Sequence, residues 1–155
     1  MRNLLLGVAL VFVSGCMSTF HTQPYVAYTD AQHAKSDTSV ISTSGLNGSA
    51  LGQIVAVDGI KTSCWKVGCP IWVRVVPGDH VFTVSYGIYG SGSHATGTTD
   101  LRVTAMQPRH VYEVRFQTSG DRFGASVEDL GEDPDYGIHV GLQGVNQKRY
   151  RASFK

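Results

Sequence analysis

The stretch Val76-Pro77-Gly78-Asp79-His80-Val81-Phe82-Thr83-Val84-Ser85-Tyr86 decides the fold class. From Phe82 to Tyr86 apolar and polar residues alternate. Phe82, Val84 and Tyr86 fall on one face, Thr83 and Ser85 on the other. A period of two belongs to a strand with one buried face, not to a helix. Pro77-Gly78 supplies a turn in front of it: proline presets φ at the first central position of a type II turn, and glycine takes the positive φ of the second. Residues 71–76 read as the strand before that turn, so the segment predicts a β-hairpin.

Working outward, the same grammar recurs. Residues 39–43 and 54–57 read as strands, punctuated by the turn pairs Asn47-Gly48 and Asp58-Gly59. Residues 101–105 place Leu101, Val103 and Ala105 inward and Arg102 and Thr104 outward. Residues 111–117 alternate most cleanly, with Tyr112, Val114 and Phe116 opposite Glu113, Arg115 and Gln117. Weaker strands are expected at 122–129 and 138–142, and residues 150–154 are expected to close the sheet. Residues 87–97 hold four glycines and read as a flexible loop. A 3.6-residue period is not sustained over any helical length; one weak helix is expected around residues 30–35. The 18 glycines and low charge content of 16% fit strands and turns. The fold expected is all-β: a single small β-sandwich of about seven to nine short strands over residues 38–155.

The N-terminus carries a second pattern. Arg2 is followed by ten apolar residues from Leu4 to Val13, and then by Val13-Ser14-Gly15-Cys16. Ten residues are too few to span a bilayer, which takes about 20. A charged start, a short apolar core and small residues before a cut site make a secretory signal. The final four residues resemble the lipobox of bacterial lipoproteins. That resemblance implies cleavage before Cys16, acylation of its thiol and a stable membrane anchor, since multiple chains hold where one does not. Met17 stands where those proteins carry an inner-membrane retention aspartate, which implies the outer membrane, periplasmic face. The expected organisation is a signal over 1–15, a lipidated cysteine with a flexible tether over 16–37, and the sandwich thereafter. The tether is polar, and its residues 25–28 are alternatively a strand on the sheet edge.

With Cys16 assigned to lipid, Cys64 and Cys69 remain. They are expected to form a structural disulfide in an oxidising compartment. The rival readings are a metal site, which lacks further ligands at suitable spacing, and a redox pair, which would want Cys-x-x-Cys. Arg2 lies in the signal, so the chain beyond it balances its acids with as many Lys and Arg. That balance gives no general electrostatic basis for binding nucleic acid or an anionic membrane surface.

Val57-Asp58-Gly59, Gly68-Cys69-Pro70-Ile71 and the opening stretch together resemble the PEGA family. Its pattern runs V-D-G, then G-x-T-P, then L-x-P-G-x-H-x-V-x-V, on a small transthyretin-like β-sandwich of bacterial envelope proteins. The likeness covers roughly residues 53–90. Cys69 replaces the threonine of that pattern, and the cysteine loop is an insertion. The wider layout is similar to small Gram-negative lipoproteins in which such a hairpin precedes a Y-x-V strand, here Tyr112-Glu113-Val114. The resemblance implies a non-catalytic module of the cell envelope, structural or protein-binding, with an envelope protein as partner and no cofactor.

Candidate chemistry is sparse. The six histidines form no pair at ligand spacing on one strand, and no metal site is expected. Residues 128–135 contain five acids but not the calcium-loop order, and read as a solvated loop, with the basic run Lys148-Arg149-Tyr150-Arg151 available to pair with it. Ser91-Gly92-Ser93-His94 is an adjacency rather than a triad, there is no Gly-x-Ser-x-Gly elbow, and residues 87–97 lack the Lys-Ser/Thr of a phosphate loop. No enzyme is expected. Trp65 in the cysteine loop, Tyr89 and His94 are the candidate contacts to a partner or to a glycan such as peptidoglycan, the alternative function; Trp65 as a lid on the core is the competing reading. Trp72 belongs to the same aromatic set.

Overall fold

The computed structural model describes residues 21–28, 33–43, 46–47, 50–64, 68–90, 93–119, 122–141, 144–145 and 147–155. The expectations for Cys16, for the signal segment and for Trp65 lie outside the described residues. Twelve strands occur among those described: β1 Tyr25–Val26, β2 Ser39–Ser42, β3 Leu46–Asn47, β4 Ala50–Val57, β5 Ile60–Lys61, β6 Trp72–Val75, β7 Gly78–Gly90, β8 Ser93–Met106, β9 His110–Ser119, β10 Arg122–Glu132, β11 Gly137–Val140 and β12 Lys148–Arg151. The fold is all-β and sandwich-like. One sheet runs β1-β6-β2-β9-β10; the other runs β3-β4-β7-β8 with β5 also on β4; β11 and β12 form a third, two-stranded sheet.

The alternation read from the sequence builds the main core. Ile41, Val73, Val75, Tyr112 and Val114 of the first sheet meet Ile54, Val57, Phe82, Val84, Val103 and Met106 of the second. Each fully buried side chain of this size stabilises by about 1.5–3 kcal/mol. The first sheet is also covered on its far side. Val40, Trp72 and Val111 pack there beneath Ile138, Ala152 and Phe154. This is why β2 and β6 are buried at every position. It also corrects two expectations. The chain's end does not close the main sheet but roofs it, and Trp72 is not an exposed aromatic: it is 1% exposed, and its Nε1 donates to the His21 carbonyl at 3.1 Å.

Pro77-Gly78 does not make a hairpin. β6 pairs with β1 and β2, whereas β7 pairs with β4 and β8, so this turn carries the chain from one sheet to the other. Gly78 has a φ of 128°. The hairpin is instead β7–β8, in register from Phe82↔Leu101 to Gly90↔Ser93. Residues 87–90 and 93–97 are therefore its distal strands and not a flexible loop; residues 91–92 lie outside the described residues. Gly97 among them answers a packing demand. Gly52, Tyr86 and Gly97 form one row across β4, β7 and β8, and a Cβ on Gly97 would lie 1.9 Å from Phe123 Cε1, one on Gly52 2.6 Å from Phe116 Cε2. Tyr86 stacks on Phe116 at 4.5 Å between centroids. Three aromatics thus fill the distal end because two strands lack side chains there.

Three smaller corrections have local causes. A bulge opposite Gly78 and His80 puts Ala105 at φ 51° and shifts the phase of β8, so Ala105 is exposed and Met106 is buried. Glu128–Glu132 belongs to β10 and not to a loop, paired to β9. Near the expected helix, the described residues hold only a 3-10 turn, Lys35–Asp37. Tyr25–Val26 pairs parallel to β6, so the edge-strand alternative holds for these residues of the tether.

Candidate functional site

The expected disulfide is present: Cys64 and Cys69 are joined at 2.08 Å. The residues flanking the bridge, Thr62 and Pro70, cover an edge. β4 is flanked by β3 at Ala50–Leu51 and by β5 at Ala56–Val57, which leaves its middle open. Ile54 N–H donates to the Pro70 carbonyl at 2.7 Å, and the Thr62 hydroxyl donates to the Ile54 carbonyl at 2.8 Å, filling that gap. An uncovered strand edge invites pairing with another chain, so the bridge holds a plug in place. Gly68, at φ 100°, brings the loop against the Gln53 side chain.

Tyr89 and His94 are direct cross-strand partners near the end of the β7–β8 hairpin. Along β7 they lie away from Gly68, the described residue next to Cys69. Gln53, which borders Gly68, pairs with Ser85, four residues back along β7, or about 13 Å.

The residues that carry the family resemblance are engaged with one another. Asp58 and Gly59 form a two-residue turn with both φ values positive, 51° and 78°, between Val57 and Ile60. Asp58 Oδ1 accepts from the Val81 N–H at 2.8 Å, and Oδ2 lies 2.7 Å from His80 Nδ1. His80 Nε2 lies 2.8 Å from the Val76 carbonyl, which can only accept, so that nitrogen carries a proton. Asp79 Oδ1 accepts from the Ala105 N–H at the bulge. Partial burial works to raise the Asp58 carboxyl, but the Val81 N–H and the His80 ring outweigh it and hold it below its ordinary value. These three side chains clasp the sheet-changing corner to the turn after β4 and to β8. Polar groups spent on backbone atoms in this way are architectural.

Several other ionic groups pair with one another. Arg115 bridges Glu113 and Glu128, His110 meets Asp129, Arg109 meets Glu132 and Asp133, and Asp135 takes both Arg149 and Arg151. The basic run therefore does meet one of the acids expected of it. Glu113 is buried beneath the third sheet, where the Tyr136 hydroxyl donates to Ser42 Oγ at 2.9 Å and lies 3.4 Å from Glu113 Oε1. Among the described residues no group of three or more His, Cys, Asp or Glu is placed to hold a metal, and no helix is long and apolar enough to cross a membrane.

Arg74 is the exception, and sequence reading passed over it. It sits in β6 on the face shared with Trp72 and is 5% exposed. Nη1 donates to Thr38 Oγ1 at 2.7 Å and to the Lys35 carbonyl at 3.4 Å; Nη2 donates to the Ser153 carbonyl at 2.7 Å; the Phe154 ring stacks 5.2 Å away. Every partner is neutral. Burial pushes the guanidinium below its ordinary value, opposed by Tyr28. Arg74 lines a cleft of about 320 Å³ with Lys35, Arg151, Tyr28, Ser153 and the segment Thr22-Gln23-Pro24. The available signal was an arginine inside the apolar strand Trp72-Val73-Arg74-Val75. Compared with family models, with curated proteins and with solved structures, the chain finds no match in any of the three.

Proposed function

We propose that this protein is an outer-membrane lipoprotein facing the periplasm, a non-catalytic structural or protein-interaction module of the cell envelope with a PEGA-like sandwich. The observation that carries the reading is the order Arg2, Leu4 to Val13, then Val13-Ser14-Gly15-Cys16. Two features of the body support it. A closed Cys64–Cys69 bridge fits an oxidising compartment. Asp58, Asp79 and His80, the polar residues of the resemblance, are occupied in holding backbone. The pairing of Tyr25 with β6 also shortens the leash. Eight residues, 17–24, separate Cys16 from the first strand, a reach of about 30 Å at most, so the sandwich rides close to the bilayer.

Intact mass spectrometry of the protein extracted from membranes tests this. Loss of residues 1–15 with acyl mass on Cys16 is the expected result. A free thiol at Cys16, or a retained start methionine, refutes it.

A further inference from the structure

The Arg74 cleft has a charge deficit that a ligand would complete. A buried ion normally has a counterion or several charge-matched hydrogen bonds, because removing it from water is costly. Among the described residues Arg74 has no carboxylate within ion-pair distance. Three of the five guanidinium N–H groups are engaged, which leaves the one on Nε and one on Nη2. Lys35, on the same wall, is exposed and makes no ion pair with a described residue. Arg151, also on the wall, is shared with Asp135 at 2.8 Å. A cleft with two cations free of acid and a third nearby, with Thr22, Tyr28 and Ser153 among its lining residues, suits an oxyanion. The fork of an arginine beside the point charge of a lysine is the combination that recognises phosphate.

Position narrows the source. Thr22, Gln23 and Pro24 line the cleft, and Thr22 is six residues from Cys16. That places this wall within about 20 Å of the anchoring thiol. We infer that the Arg74–Lys35 cleft binds a phosphate group, and that its source is the headgroup of the phospholipid in which Cys16 is anchored. The second half rests on the lipoprotein reading; the first does not. Headgroup capture would fix the orientation of the sandwich on the bilayer.

The test uses the full chain in neutral detergent, with the unfolding temperature measured in sodium phosphate, sodium acetate and sodium chloride at equal ionic strength. Phosphate at tenfold above its Kd should raise the midpoint by about 4 °C over chloride. Lys35→Gln should weaken phosphate binding about tenfold, and Arg74→Gln should abolish it. Arg74→Gln removes a buried group and endangers folding, so the exposed Lys35→Gln and Arg151→Gln variants carry the comparison independently. Equal midpoints in phosphate and chloride overturn the site, and equal effects of acetate and phosphate replace phosphate by carboxylate. In nanodiscs, phosphatidylglycerol should stabilise the wild type over a phosphate-free galactolipid, and the Lys35→Gln variant less so. No difference between the discs, with phosphate still active in detergent, removes the headgroup and keeps the site. An unmodified Cys16 with intact phosphate binding refutes the proposed function alone.

Discussion

Replacing Gly97 by alanine should be among the most damaging single-methyl changes in this protein. Its Cβ would stand 1.9, 2.3 and 2.9 Å from Phe123 Cε1, Cδ1 and Cζ. Carbon atoms in contact sit about 3.5–4.0 Å apart, so the ring must retreat by about 1.5–2 Å. Retreat is obstructed. Phe123 lies 6.4 Å from Tyr86, Tyr86 stacks at 4.5 Å on Phe116, and Phe116 is already pressed over Gly52. Overpacking of this kind costs about 1–3 kcal/mol, and this site belongs at the upper end. Loss of glycine's unfolded-state freedom returns about 0.5–1 kcal/mol, for a net destabilisation of about 2 kcal/mol. Urea unfolding followed by circular dichroism should show the midpoint fall by about 1 M. Gly124→Ala is the matched control: it adjoins Phe123 in β10, and its Cβ would meet nothing within 4 Å, so it should be neutral or slightly stabilising. Equal midpoints for the two variants would refute the view that these glycines make room for aromatics.

Opening the Cys64–Cys69 bridge by serine substitution should cost about 2 kcal/mol on the chain-entropy model, measured by denaturant unfolding, and should promote self-association by baring the middle of β4. An unchanged midpoint together with a monodisperse product would remove the plug from the account. Asp58→Asn should weaken the corner in a pH-dependent way. The folded carboxyl is held below its unfolded value, so its contribution is fully present above about pH 4 and fades as pH falls through the folded value. The side chain is 46% exposed, so screening limits the effect to about 1 kcal/mol at pH 6. A gap in unfolding temperature between wild type and Asp58→Asn that stays constant from pH 6 to pH 3 contradicts this assignment.

Strands whose two faces differ in polarity were legible because the period of two records burial directly: Phe82 and Val84 enter the core as their alternation requires. Partners were less legible. Pro77-Gly78 announces a reversal, but nothing local says whether the returning strand joins the same sheet, and here it joins the other one. Glycine was misread for a related reason. Its backbone freedom is a property of the residue alone, whereas the role of Gly97 depends on Phe123, brought there from β10. The phase slip at Ala105 needed the bulge opposite His80 to be known. In the candidate cleft, Arg74 could have been singled out as an ion in an apolar strand. Lys35, Arg151 and Ser153 could not, since they reach it from two distant segments.

The polar residues that carry the resemblance have one physical root. Asp58, Asp79 and His80 are polar for the sake of N–H and C=O groups at a corner where regular pairing fails. A corner of this type asks for the same side chains whatever the domain does, so the motif speaks for architecture and is silent on function. Function is then to be sought among polar groups that the backbone does not consume. The ion pairs of β9, β10 and β12 neutralise one another. Arg74 keeps N–H groups in reserve, Lys35 stands beside it, and both border the segment leading back toward Cys16. The unspent charge and the segment leading back toward the proposed anchor therefore line one cleft. A second contact of this kind is what a lipid-held module needs to fix how it sits on a membrane.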